Sequence, residues 1–252
     1  FAIDPYLAEA AAQLHEETDY RREASCLNRF RDLLKGAEGI KLPEVYDDWS
    51  TDSILSMSFV SGMPIEEAEH LDQGQRDAVM GRLIDLTVKE MFDFRLIQSD
   101  PNFANYRYDP QTNEIILLDF GATRELSETL SRSYKSFLNY GMAGEFEKLE
   151  EAAEAIGFLD ETISPDHRRQ CLELMQIAFE ALRVPVFDFT KTELTQQMQR
   201  GGEALARDGF IPPVVPMDVL YLQRKFGGMF LLGARLRAKL PVAQIMAPYL
   251  ED

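Results

Sequence analysis

Cysteine is scarce in this 252-residue chain: Cys26 and Cys171 are the two, and neither stands in a Cys-x-x-Cys pairing. A disulfide framework and a cysteine zinc site are therefore not expected, and a reducing compartment is. Histidine is equally sparse. His15, His70 and His167 lie far apart in polar, helix-like contexts, where a solvated or locally bonded role is expected rather than metal ligation. Positive charge is short: 26 Lys and Arg face 43 Asp and Glu, for a net charge of -17 and a pI near 4.6. That balance argues against a nucleic-acid footprint, which needs a basic face. No apolar run approaches the ~18 residues of a membrane span, and no signal peptide is recognisable.

What remains is globular in character. With 45% hydrophobic and 27% charged residues, the chain can bury a sizeable core as one large domain or two lobes. The informative stretch runs from Gln98 to Arg124. Asp100 is followed by Asn105, and further on Asp119 opens Asp119-Phe120-Gly121 at the end of the apolar run Ile115 to Leu118. Tyr106 to Tyr108 alternates like a strand, Asp109 to Asn113 is turn-rich, and Ile115 to Leu118 reads as a short buried strand, so a hairpin would return Asp119 to the neighbourhood of Asn105. A kinase catalytic loop has the same order: an acid for the substrate proton, an amide for magnesium and an Asp-Phe-Gly acid for the metal. Asp100 fits the catalytic role, and Asn105 and Asp119 fit the metal roles, since magnesium prefers hard oxygen ligands. Two coincidental turns would explain the same letters, but order and strand context together favour the site.

Elsewhere the periodicity predicts one or two helices over Ala8 to Leu34, and short extended segments at Ile40 to Pro43, Val45 to Trp49 and Ser53 to Val60. The last runs into Ser61-Gly62-Met63-Pro64, where a two-lobed kinase has its hinge. Backbone groups of Ser58, Phe59 and Val60, with Met57 as a packing wall, are candidate contacts to an adenine edge; an edge strand entering a turn explains these residues as well. Glu66 to Leu71 reads as a short helix or turn, and Gln75 to Phe94 as an amphipathic helix burying Val79, Leu83, Leu86, Met91 and Phe94. Helices are predicted at Glu128 to Tyr140, Glu145 to Ile156, Arg168 to Leu182, Thr192 to Arg207 and Met217 to Ala238. In the last, apolar Phe226 to Ala234 beside Arg224-Lys225 and Arg235 to Lys239 is read as buried packing, with a peripheral membrane or lipid contact as the alternative.

Four motifs carry a family resemblance. Glu17 to Ala24 (ETDYRREA), Phe59 to Pro64 (FVSGMP), Asp100 to Asn105 (DPNFAN) and Leu118 to Arg124 (LDFGATR) resemble the UbiB/ADCK atypical kinase-like family of ubiquinone (coenzyme Q) biosynthesis, and the resemblance extends to Gln223 to Gly228. The Asp-Pro-Asn-Phe-Ala-Asn form is similar to the mitochondrial branch and its bacterial relatives. The resemblance implies an α+β protein-kinase-like fold, with a partial N-lobe at residues 1–60 and a mostly helical C-lobe at 61–252. It also implies ATP and Mg2+ as cofactors, and nucleotide and ubiquinone-biosynthesis proteins or lipid precursors as partners. The location implied is the bacterial cytoplasm or mitochondrial matrix, peripheral at the inner membrane. It assigns Asp100 the catalytic-loop role, Asn105 and Asp119 the metal, and Glu17 the helix-C acid that pairs with a strand lysine.

Departures qualify this. Lys35 and Lys41 follow Glu17, so neither supplies that lysine, and the family's Ala-rich loop and Lys-x-Gly-Gln extension are missing. The chain therefore reads as N-terminally truncated, with weak ATP binding and little turnover expected alone. Gln98-Ser99 replaces the His-Arg of a typical protein kinase, and a helix is expected soon after Arg124. Both disfavour phosphorylation of proteins and leave ATP hydrolysis or a small or lipid-like acceptor. The alternative from another class is a non-catalytic lipid- or partner-binding scaffold. A small-molecule phosphotransferase of the aminoglycoside or choline type is less well matched, because its loop usually has a His before the Asp.

Overall fold

The computed structural model describes residues 18–250. Helix α1 spans Tyr20–Leu33 and is started by Asp19, whose side chain accepts from the Arg22 N–H. One of its faces carries Ala24, Cys26, Leu27 and Phe30 into the core. Strand β1 (Ile40–Lys41) follows, then an irregular hairpin joined by the isolated bridges Val45–Met57 and Thr51–Ile54. The expected strand over Ser53 to Val60 is thus reduced to bridge pairings. Asp47–Trp49 is a 3-10 turn rather than extended chain, because the Tyr46 carbonyl accepts from the Trp49 N–H and the Ser50 hydroxyl.

Strand β2 (Met63–Pro64) leads through a 3-10 turn at Ile65–His70 into α2 (Gln73–Lys89), which begins with an Asp72/Gln75 capping box. Its buried residues include Val79, Leu83 and Leu86, as the spacing predicts. The helix then widens into a π turn at Glu90–Phe94 and stops at Arg95, whose φ is 49°. Strands β3 (Leu96–Gln98), β4 (Tyr106–Asp109), β5 (Glu114–Leu117) and β6 (Thr123–Glu125) complete the sheets around the Gln98 to Arg124 stretch. The four-stranded sheet has the order β1-β5-β4-β2, with β1 parallel to β5 and the other pairings antiparallel. A second, two-stranded sheet pairs β3 with β6.

The remainder is helical. Helices α3 (Glu128–Ala143), α4 (Phe146–Ile156), α5 (Pro165–Leu182), α6 (Glu193–Arg207), α7 (Met217–Leu236) and α8 (Val242–Leu250) agree with the predicted periods within a few residues, except that α8 was not anticipated. Pro248 lies inside α8 and Pro241 just before it, and a nine-residue helix so flanked gives little periodic signal. Short strands β7 (Phe187–Asp188) and β8 (Lys239–Leu240) pair antiparallel beside α6 and α7. Helix α7 is central, burying Lys225, Gly228, Met229, Leu232, Gly233 and Leu236, while Leu231 of its apolar stretch is exposed. Among the described residues no helix is long and apolar enough to cross a membrane.

Candidate functional site

The Asp100 loop and the Asp119 turn are brought together by two ladders. The β4–β5 hairpin sets Tyr106 opposite Leu117, and the Leu118 N–H donates to the Asn105 carbonyl at 3.0 Å just beyond that pair. On the other side β3 and β6 set Gln98 opposite Thr123. Ser99 continues this ladder, its backbone N–H (3.1 Å) and hydroxyl (2.7 Å) both donating to the Ala122 carbonyl. The segments 99–105 and 118–122 are therefore anchored at both ends by strands, leaving their side chains to face one another.

Asp100 is held from two directions. The Asn105 amide donates to Asp100 Oδ2 at 2.8 Å, and the Asn102 N–H approaches Oδ1 at 3.4 Å. Arg224 of α7 stands 3.9 Å from the same carboxylate. Asp119 Oδ1 accepts from the Gly121 N–H at 2.9 Å, closing the Asp-Phe-Gly turn. Phe120 is fully buried against Phe30 of α1, ring centroids 4.9 Å apart.

Asn105 and Asp119 line one small cavity, shared with Glu90, Gln98, Tyr106, Leu117 and Phe120. Among the described residues, Asn105 Oδ1 and Asp119 Oδ2 accept no hydrogen bond. Two hard oxygen acceptors without donors, one of them anionic, fit a magnesium ion that completes its shell with water and phosphate oxygens. The sequence-predicted trio is thus gathered, with Asn105 touching Asp100 and sharing a cavity with Asp119.

Helix α1 contributes an acid the sequence reading passed over. Glu23 is buried, and its Oε1 accepts from the Phe120 N–H at 3.5 Å. Burial, and then the Asp119 charge, hold the Glu23 carboxyl above the ordinary carboxylate range. Glu23 shares the face of α1 that buries Leu27 and Phe30, and that rotation of the helix is what turns it inward. Arg22 binds the same turn, donating from its two terminal nitrogens to the carbonyls of Gly121 and Thr123, at 2.5 Å each. Glu17 lies outside the described residues.

The hinge candidates sit at the sheet edge. Met57 bridges to Val45, the Ser58 N–H donates to the Glu44 carbonyl at 2.8 Å, and Phe59 is 93% exposed. The Ser58 N–H is therefore already engaged, which leaves the Ser58 carbonyl and the backbone of Phe59 and Val60 as the available groups. Gly62 then packs this connector onto the β4–β5 hairpin: a Cβ there would stand 2.6 Å from Ile116, and Arg107 donates to the Gly62 carbonyl at 2.7 Å.

Behind the small cavity lies a buried ion pair. Lys225 of α7 stands 3.3 Å from Glu90 of the π turn, and donates to the Gln98 carbonyl and the Tyr106 hydroxyl, each at 2.9 Å. Burial pushes the Glu90 carboxyl up to about 7 against the pull of Lys225. For Lys225, burial favours loss of the proton, but Glu90 and Tyr106 outweigh it and keep the ammonium charged. Glu90 continues the face of α2 that buries Leu83, Leu86 and Thr87, so the helical period itself turns this acid inward at the start of the π turn.

The chain is similar to known proteins over most of its length. The family model described as the ABC1 atypical kinase-like domain matches residues 1–153. Atypical kinase COQ8B, mitochondrial, of Danio rerio is 32% identical over 94% of this chain and 38% of its own length. Atypical kinase COQ8, mitochondrial, of Saccharomyces cerevisiae is 29% identical over 96% of this chain and 49% of its own. The chain thus spans between about a third and a half of the curated relatives it matches. Among solved structures, that of the Rv3197–erythromycin complex from Mycobacterium tuberculosis superposes with a TM-score of 0.77 at 18% identity, covering 98% of this chain and 61% of that one. That likeness shows the fold, and it accords with the α+β kinase-like class.

Proposed function

The chain belongs to the ABC1 atypical kinase-like family, the UbiB/ADCK group its motifs resemble, and from that premise we propose that its site binds ATP with Mg2+ in an atypical kinase or ATPase reaction serving ubiquinone biosynthesis. The observation that carries the proposal is the pair of acceptors without donors, Asn105 Oδ1 and Asp119 Oδ2, on one cavity beside Asp100. A magnesium ion there would supply charge neutralisation for the nucleotide phosphates. Asp100, oriented by the Asn105 amide, is the group placed to accept a proton from the attacking hydroxyl or water. Phe59 and Val60 offer backbone groups for the adenine edge. Glu17 retains its assignment as the helix-C acid by family likeness, while the burial of Glu23 beside the Asp119 turn makes Glu23 a second candidate for that role.

The short passage from β6 to the Ser127 cap of α3 leaves little chain for docking a peptide, which supports ATP hydrolysis or a small or lipid-like acceptor over a protein substrate. The names of the mitochondrial relatives support, as part of this proposal, residence in the mitochondrial matrix or bacterial cytoplasm, peripheral at the inner membrane.

The test is ATP affinity of the natural full-length protein by calorimetry, with and without Mg2+, for wild type and Asp119→Asn. Expected is magnesium-dependent binding that the substitution weakens by at least about 10- to 100-fold, the loss that mutating a residue which merely supports a metal ligand already brings. A folded protein whose ATP binding is absent, or indifferent to both Mg2+ and Asp119→Asn, would refute the reading in favour of a non-catalytic scaffold.

A further inference from the structure

Helix α5 is 18 residues long, yet Phe179 is its single fully buried residue. Leu172, Met175, Ala178 and Leu182 of the same helix are only half-buried, although their spacing makes a continuous apolar stripe. The reason is a cavity of about 500 Å³ between the α5–α6 pair on one side and α2, α3, α7 and α8 on the other. Protein interiors rarely leave voids much larger than a water molecule, and this volume is that of a small-molecule pocket. A second apolar space adjoins it, sharing Phe137, Phe158 and Met175 and reaching Pro212 and Pro213.

The lining is almost wholly hydrocarbon and aromatic, and among the described residues it includes no charged side chain. Its polar members are Thr87, Gln223 and Tyr134. The Thr87 hydroxyl is satisfied within its own helix, donating to the Leu83 carbonyl at 2.8 Å. The Tyr134 hydroxyl is different: the residue is 2% exposed, and its oxygen has no hydrogen-bond partner among the described residues. A buried hydroxyl in an apolar wall costs free energy unless something bonds it. Met198 of α6 lines the cavity while remaining exposed, and Val184 and Val186 are exposed on the adjoining α5–β7 segment. The cavity therefore reaches the surface past an apolar rim.

We propose that this cavity is a binding site for a neutral long-chain lipid, whose aliphatic part fills the space between α5 and α7 and whose hydroxyl or carbonyl oxygen bonds the Tyr134 hydroxyl. The neutral class follows from the lining, because an anionic or cationic group at depth would have no counter-charge. This site is separate from the Asp100 and Asp119 cavity and requires no nucleotide.

The experiment titrates the protein with Nile red, displaces the dye with 1-decanol, and follows amide hydrogen exchange of the decanol-saturated protein. Expected are saturable dye emission, loss of it in Ala178→Trp, slower exchange confined to α5, α6 and the facing turns of α3 and α7, and decanol displacement weakened three- to tenfold in Tyr134→Phe, the range of one neutral hydrogen bond. The proposal is overturned if the dye does not saturate, or if a folded Ala178→Trp binds it undiminished. It is equally overturned, whether or not that variant folds, if decanol protects no amides of α5 and α6 in the wild type.

Discussion

Lys225 and Glu90 form an ion pair at 3.3 Å with 2% and 1% of their side chains exposed. Through the Gln98 carbonyl and the Tyr106 hydroxyl the same ammonium ties α7 to the two strands that frame the Asp100 loop.

Removing one partner should be far worse than removing both. Lys225→Met leaves a buried carboxylate without its cation, which costs about 3–5 kcal/mol, whereas replacing a buried pair together is often neutral. Urea unfolding of Lys225→Met, Glu90→Leu and the double variant checks this. A double variant as unstable as the sum of the two singles would show that the pair is not coupled.

The raised Glu90 carboxyl sets a pH dependence. With a folded value of about 7 against an ordinary 4.5, the folded state holds a proton that the unfolded chain releases, so stability from this group is full below 4.5 and declines as pH rises to 7. Subtracting the unfolding free energy of Glu90→Gln from that of wild type, between about pH 5 and about pH 8, should therefore give a difference that falls with pH. A flat difference would place the Glu90 carboxyl at its ordinary value.

Helix α7 meets the Asp100 loop at Gly228, where an added Cβ would lie 2.3 Å from Pro101 Cβ. Pro101 follows Asp100, so Gly228→Ala must move either the helix or the loop, at a cost of about 1–3 kcal/mol for overpacking. The expected signature is a loss of ATP affinity larger than the loss of stability explains. Gly202→Ala in α6, where nothing lies within 4 Å, serves as the contrast and should stabilise by about 0.5–1 kcal/mol. Equal melting shifts in the two variants would contradict the close approach.

Arg22 spans the Asp-Phe-Gly turn with bonds to the Gly121 and Thr123 carbonyls. Arg22→Lys keeps the charge and loses the planar fork, so it should restore little relative to Arg22→Ala. Hydrogen exchange at residues 119–124 reads the result: about 10-fold or greater acceleration is expected in both variants, since bonds to a charged donor contribute about 1.5–3 kcal/mol. Exchange at wild-type rates in Arg22→Lys would assign the effect to charge alone.

Phe120 is the deepest part of the turn, its ring tilted at 47° against that of Phe30. Phe120→Ala should cost about 3–5 kcal/mol, visible as a shift in the denaturation midpoint with unchanged slope. A cost below ~1 kcal/mol would mean that the site collapses around the missing ring.

Much of the site was legible because its chemistry is local. Asp100 and Asn105 stand on one loop, the Asp109 to Asn113 turn is spelled by turn-forming residues, and the β4–β5 alternation then fixes where Asp119 must return. The long helices were legible for a similar reason, as burial of one face imposes a 3.6-residue period. The sequence by itself thus determined the family, the order of the site residues and nearly every helix. Tertiary structure decided what depends on rotation, depth and distance. It chose Glu23 from a run of acids by turning one face of α1 toward Phe120, and reduced Ser53 to Val60 to bridges. It paired Lys225 with Glu90 from helices far apart in the chain, and set the apolar face of α5 along a cavity. Each joins residues far apart in sequence by packing, and packing leaves no periodic mark on either segment alone.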